Sequence, residues 1–365
     1  ACAAGTYQPS TGQTSCIDAD AGYYVPTTGQ SSQTACAAGT YQASTGQSSC
    51  TDASAGYYVD STASTQQIMC PATTFQSYTG QTYCNAGSLG HYIESPPIAD
   101  IPCPAGTYLP GVGNSLLSCH DADAGYYVPT TGQTTQTACL AGTYNANTGS
   151  TSASDCLDAD AGYYVPTTGQ TTQTECATGT YQASTGQSSC TDASAGYYVP
   201  TTGQTSQTAC DYGTYQPNTG QTSCDVADVG YFVDIAGSDS QLACEAGTYQ
   251  ASTGQSLCDE ADAGYYVGST GQSSQTECAI GTYQPNTSQP LCLDADTGYY
   301  VDTTAQTEQI ACSPGFYQDV NGAHFCYYAF AGNYVDSAAS SSQTACVAGT
   351  YQPDTGQTSC DDADA

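Results

Sequence analysis

The sequence predicts an all-β, small disulfide-rich fold: an elongated, solenoid-like tandem array of β-hairpins with almost no helix. Three observations predict it. Cysteines recur at alternating separations centred on 14 and 20 residues, a glycine is followed two residues later by an aromatic in nearly every half-period, and aliphatic core formers are scarce. The hydrophobic fraction of 39% is largely 32 Tyr and 22 Cys, with 1 Met, 5 Phe and no Trp, so small stapled units are expected in place of one large core.

Paired separations sum to a period of 34 residues. The repeats are then 2–35, 36–69, an irregular 70–102, 103–138 and 139–175 with insertions, 176–209, 210–243, 244–277, 278–311, 312–345 and a partial 346–365. Each divides into half-units of about 17 residues, as the alignment of CAAGTYQASTGQSSC (36–50) with ASAGYYVDSTASTQQIMC (53–70) shows. One half opens and closes with Cys, as at Cys36 and Cys50. The other has Ala53 and Gln67 at those places. Joint presence and joint absence make the two positions partners, which pairs Cys2 with Cys16, Cys36 with Cys50, Cys70 with Cys84, Cys103 with Cys119, Cys139 with Cys156 and Cys176 with Cys190. The same rule pairs Cys210 with Cys224, Cys244 with Cys258, Cys278 with Cys292, Cys312 with Cys326 and Cys346 with Cys360. The rival, Cys16 with Cys36, explains less. With no C-x-x-C, thioredoxin-like and zinc-finger chemistry is not expected, and the compartment is oxidising and extracellular.

Within a cysteine-bearing half the expected hairpin runs out through Thr40-Tyr41-Gln42, turns at Ser44 to Gln47 with Gly46 at positive φ, and returns through Ser48-Ser49-Cys50, the disulfide closing its base. A ring of about 15 residues removes roughly 3 kcal/mol of unfolded-state entropy. The longer segments 103–119 and 139–156 place their extra residues, GVGNSLL and TGSTSAS, at the tip, where insertion is tolerated. The recurrent rings, including Tyr7, Tyr24, Tyr41, Tyr58, Tyr181 and Tyr198, are expected to stack between neighbouring hairpins and against disulfides as a thin core. In the cysteine-free halves a second ring precedes them, as at Tyr57, and period-two alternation turns one of the two outward.

The stretches CPAGTYLPGVGNSLLSC (103–119), CAAGTYQASTGQSSC and AGYYVPTTGQ resemble the GCC2/GCC3 or ephrin-receptor-like cysteine-rich repeats, and more remotely the tumour-necrosis-factor-receptor cysteine-rich modules. The C-x-x-G-x-Y opening carries the likeness, which covers essentially all of the chain. The resemblance implies that Cys103 pairs with Cys119. Modules of that kind add a C-x-x-C at unit junctions, whereas Ala53 and Gln67 stand here, so their fuller disulfide ladder does not transfer. Long arrays of this kind look like parts of very large surface proteins, including those of marine microbes.

Charge narrows the functional classes. No Lys or Arg opposes 33 acidic residues, a formal charge of −33 and a pI near 4.1. Nucleic acid and anionic lipid are repelled, and Schiff-base or phosphate-clamp chemistry has no residue to perform it. Alternating carboxylates follow most closing cysteines: Asp18 with Asp20, Asp121 with Asp123, Asp158 with Asp160, Glu260 with Asp262, Asp294 with Asp296, and Asp362 with Asp364. Paired oxygens before a glycine resemble the start of calcium loops, so structural Ca²⁺ is one expectation; solvated linkers attracting diffuse cations, and Asx turns, are the others. Thr27 and Thr28 in PTTGQSSQT are candidate O-glycan acceptors and Asn286 lies in an N-glycosylation sequon. His91, His120 and His324 share no pattern, and no catalytic residue is assigned.

Ala1-Cys2 and Asp364-Ala365 both fall inside a repeat, so the array is expected to continue, with caps and anchors elsewhere. No apolar run is long enough for membrane insertion. The expected function is a structural segment of an extracellular fibre, stalk or surface coat that self-associates. The alternative is an adhesin or receptor-type ectodomain whose protein or glycan partner meets irregular repeats such as 70–138. An enzyme is not expected.

Overall fold

The computed structural model describes residues 1–111 and 118–363. The insertion tip of repeat 4 and Asp364 lie outside the described residues. The chain is nearly all β, and its hairpins recur about every 17 residues. Every strand is two or three residues long and pairs with one other in an antiparallel, two-stranded sheet. Among the described residues one 3₁₀ turn, Ala153–Asp155, occupies the inserted tip of repeat 5, where the Asp155 carboxylate accepts from the backbone of Thr151 and Ser152.

A two-stranded hairpin of this length is not stable alone in water, so the order must come from how hairpins join. The chain divides into two units, Ala1–Glu175 with Ser184–Cys190, and Cys176–Ala183 with Thr191–Ala365. In the first unit, Gly22 N donates to Gln42 O (2.8 Å), Val25 N to Gln47 O (3.0 Å) and Gly46 N back to Ala19 O (2.7 Å), tying one half-unit to the next through the main chain. The second unit repeats the pattern. Gly196 N donates to Gln216 O (2.8 Å), Val199 N to Gln221 O (2.9 Å) and Gly220 N to Ala193 O (2.8 Å). Backbone groups with no partner in their own short sheet are thus satisfied by the neighbouring half-units.

The core is built from small residues. In the first unit Ala19, Val25, Cys36, Ala53 and Val59 are buried, and in the second Ala193, Val199, Cys210, Ala227 and Val233. Tyrosine is not its main filling. Tyr7, Tyr24, Tyr41, Tyr58, Tyr181 and Tyr198 are each half-buried, and so is the preceding ring where there is one, as at Tyr23, Tyr57 and Tyr197. Cys, Ala and Val fill most of the interior while these rings lie along its flank; in repeat 10 a ring does enter it, Tyr317 packing with Ala329 and Val335.

The return strand also differs from expectation. Thr40 faces Asp52 and Tyr41 faces Thr51, so that strand begins after Cys50 and excludes Ser48-Ser49-Cys50. The Gln42 side chain explains the displacement: its amide donates to Ser49 O (2.9 Å) while its Oε1 accepts from Ser44 N (3.1 Å), engaging backbone groups that strand pairing would need. The equivalents Gln76, Gln216, Gln250, Gln284 and Gln318 are buried and make the same pair of bonds.

Candidate functional site

The recurrent constellation is the junction between successive return strands. Cys36 directly follows one return strand, Thr34–Ala35, and Cys50 directly precedes the next, Thr51–Asp52. Their disulfide, with Cα atoms 5.8 Å apart, therefore joins the end of one return strand to the start of another; it does not close the base of a single hairpin. The same bond links Cys70–Cys84, Cys103–Cys119 and Cys139–Cys156 in the first unit, and Cys2–Cys16 precedes its first return strand, Ile17–Asp18. In the second it links Cys210–Cys224, Cys244–Cys258, Cys278–Cys292, Cys312–Cys326 and Cys346–Cys360. Cys176 and Cys190 are disulfide-bonded as well, and no cysteine is free.

Where the cysteines are missing, a glutamine takes over. Gln67 stands at the closing position, and its Oε1 accepts from Ser54 N at 2.7 Å, beside Ala53 at the opening position. With Asp in place of Ser54 the clasp becomes reciprocal: Asp20 N donates to Gln33 Oε1 (2.7 Å) and Gln33 Nε2 donates to Asp20 Oδ2 (2.7 Å). Gln136 with Asp123, Gln173 with Asp160, Gln241 with Asp228, Gln275 with Asp262 and Gln309 with Asp296 repeat it. Sequence reading noted Gln67 as a replacement but assigned it no bond. Its recurrence at 33, 136, 173, 207, 241, 275, 309 and 343 was the available sign. In irregular repeat 3 an acid substitutes: Ser88 N donates to the Asp100 carboxylate, whose Oδ2 lies 3.3 Å from His91 Nδ1.

In the described acidic pairs the two carboxylates have different neighbours. Asp20, Asp123, Asp160, Asp262 and Asp296 belong to glutamine clasps. Asp18, Asp121, Asp158 and Asp294 lie alongside the tip glycines Gly46, Gly149, Gly186 and Gly322, and Glu260 accepts from Thr287 Oγ1 at 3.2 Å. Among the described residues no three His, Cys, Asp or Glu side chains gather into a group able to hold a metal. In the described pairs the second carboxylate accepts from a clasp amide.

The remaining candidates are placed as follows. Thr27, Thr28 and Asn286 are exposed at hairpin tips; Thr27 Oγ1 accepts from Gln30 Nε2 (2.8 Å) and Asn286 N donates to Gln284 Oε1 (3.1 Å). Among the described residues, ring-to-ring contacts are confined to Tyr108 with His120 and to a cluster spanning 316–330, so the Gly-x-Tyr rings do not stack on one another. Three phenols are held above the usual tyrosine range. Tyr163 donates to Glu175 Oε1 (2.9 Å), which stabilises its neutral form, while Tyr215 and Tyr317 are raised by desolvation and then by neighbouring carboxylates.

Among the described residues no helix is long and apolar enough to cross a membrane. No family model matches the chain, and no curated protein matches it. The likeness to ephrin-receptor-like modules rests on the C-x-x-G-x-Y opening alone.

Proposed function

We propose that this chain is a structural segment of a long extracellular array, serving a fibre, stalk or surface coat. The observation that carries the reading is the recurrent alternation of two fasteners at corresponding places, disulfide and side-chain clasp, the clasp being a glutamine except in repeat 3, where Asp100 supplies it. Such a construction spends its sequence on continuity. Disulfides of this number persist in oxidising compartments, which supports a location outside the cell. Mutual repulsion among uncompensated carboxylates opposes collapse and favours solubility. Lateral or end-to-end association of like repeats would complete the assembly, and O-glycans on tips such as Thr28 would coat it.

Electron microscopy of the native chain, with and without a thiol reductant, tests the reading. Filaments or regular coats that disperse on reduction are expected. Isolated particles that neither associate nor change on reduction would overturn it. An adhesin or receptor role is the second reading, favoured by one repeat whose surface departs from the rest.

A further inference from the structure

Repeat 10 replaces its acidic pair with rings. Tyr327-Tyr328-Ala329-Phe330 stands where the preceding repeat has Leu293-Asp294-Ala295-Asp296, one period earlier. The backbone is unchanged: Phe330 N still donates to a clasp glutamine, Gln343 Oε1, at 2.7 Å, as Asp296 N does to Gln309. Tyr328 lies against the tip glycine Gly356 as Asp294 lies against Gly322. Two negative charges have therefore been exchanged for two aromatic faces without altering the fold.

These rings join others. Phe316 and Tyr328 have centroids 4.7 Å apart, Phe325 and Tyr327 5.0 Å, and Tyr317 and Phe330 6.4 Å. Tyr317 is buried, but Phe325, Tyr327, Tyr328 and Phe330 remain 44%, 41%, 60% and 55% exposed, more than a core requires. A depression of about 290 Å³ beside them is lined by Tyr300, Phe316 and Phe325. A carboxylate lies beside the cluster: Asp319 is near enough to Tyr317 to help raise its phenol.

We propose that the ring cluster of repeat 10 binds a basic segment of a partner protein, seating an arginine or lysine side chain on Phe325, Tyr327, Tyr328 and Phe330. Exposed ring faces attract cations, and Asp319 and the charge of −33 add to that attraction while repelling anionic ligands. The occupant is not a second copy of this chain, which has no Lys or Arg to offer. A neutral glycan would stack on the same rings but gains nothing from the charge around them. The inference stands apart from the fibre reading, since it concerns one repeat and a different molecule.

The test uses the full chain and its double variant Tyr328→Asp with Phe330→Asp, which restores the residues that Asp294 and Asp296 supply in the preceding repeat and so preserves folding. Calorimetric titration at fixed salt compares a short arginine–glycine peptide with a neutral β-linked glucose oligosaccharide. Charge attraction alone would make the variant bind the peptide more tightly, because it carries two further carboxylates. If the rings seat the cation, the variant binds about tenfold more weakly. Unchanged or tighter peptide binding by the variant overturns the proposal. So does a native chain that binds no peptide, or one that binds the oligosaccharide in preference.

Discussion

Gly179 lies at φ +81, a left-handed conformation that costs an L-residue about 1 to 2 kcal/mol. It also faces the carbonyl oxygen of Gly220, from the half-unit two places on, so closely that a Cβ would overlap it. Gly12 has nearly the same φ, +82, with nothing within 4 Å. Gly12→Ala is therefore expected to cost only the conformational term, and Gly179→Ala at least about 3 kcal/mol, because backbone must move as well. Hydrogen exchange at amides of the substituted repeat reads the difference locally. Equal losses at the two sites would show that the close approach between half-units contributes nothing. The clasp works at the same scale: an amide hydrogen bond contributes about 1 kcal/mol, well below the roughly 3 kcal/mol of a disulfide-closed loop.

That inequality makes a prediction for the half-unit as an element. Ala193 and Gln207 occupy in a cysteine-free half the positions that Cys210 and Cys224 occupy in the next one, with the same separation of 14 residues. Ser194 N already donates to Gln207 Oε1 at 2.7 Å, so the two strand ends are close. Ala193→Cys combined with Gln207→Cys is expected to form a disulfide without displacing the fold and to stabilise that half-unit by up to about 3 kcal/mol, less the lost clasp. Non-reducing peptide mapping with pepsin detects the bond, and a raised denaturation midpoint measures its effect. Trypsin has no Lys or Arg to cut. Free thiols persisting at both positions would contradict the equivalence of clasp and disulfide.

Over the whole molecule, charge is the dominant electrostatic fact. A chain with 33 acids and no basic side chain has nothing internal to offset new negative charge, and its 32 tyrosines are the groups able to supply it at alkaline pH. Tyr215 and Tyr317 are raised above the ordinary 10.0 chiefly by desolvation. A raised folded-state value means that the folded chain holds the proton more tightly than the unfolded one. The resulting stability is complete below pH 10.0 and is lost as pH rises through the higher folded values. Base titration followed by tyrosinate absorbance and circular dichroism should show late-ionising phenols lost together with β structure, and Tyr317→Phe should remove one late component. Phenols that all ionise before any β signal changes would refute this coupling.

Chain order by itself determined the repeat, its halves, the alternation of cysteine-bearing with cysteine-free units and the absence of cationic chemistry, because periodicity and composition are properties of the chain read in one dimension. Hairpins followed from Gly-x-Tyr and a turn glycine at fixed offsets. The tertiary structure alone decided that the return strand starts after Cys50, that the Cys36–Cys50 disulfide connects successive return strands, that Gln67 fastens where cysteine is missing, and that Val199 is buried while Tyr198 lies on the flank. These outcomes depend on which donor meets which acceptor across half-units, as Val199 N meets Gln221 O. Residues far apart in the chain become neighbours only when the half-units pack, and their main-chain bonds then set an interior filled mainly by Val, Ala and Cys, with Tyr317 the ring that enters it in repeat 10.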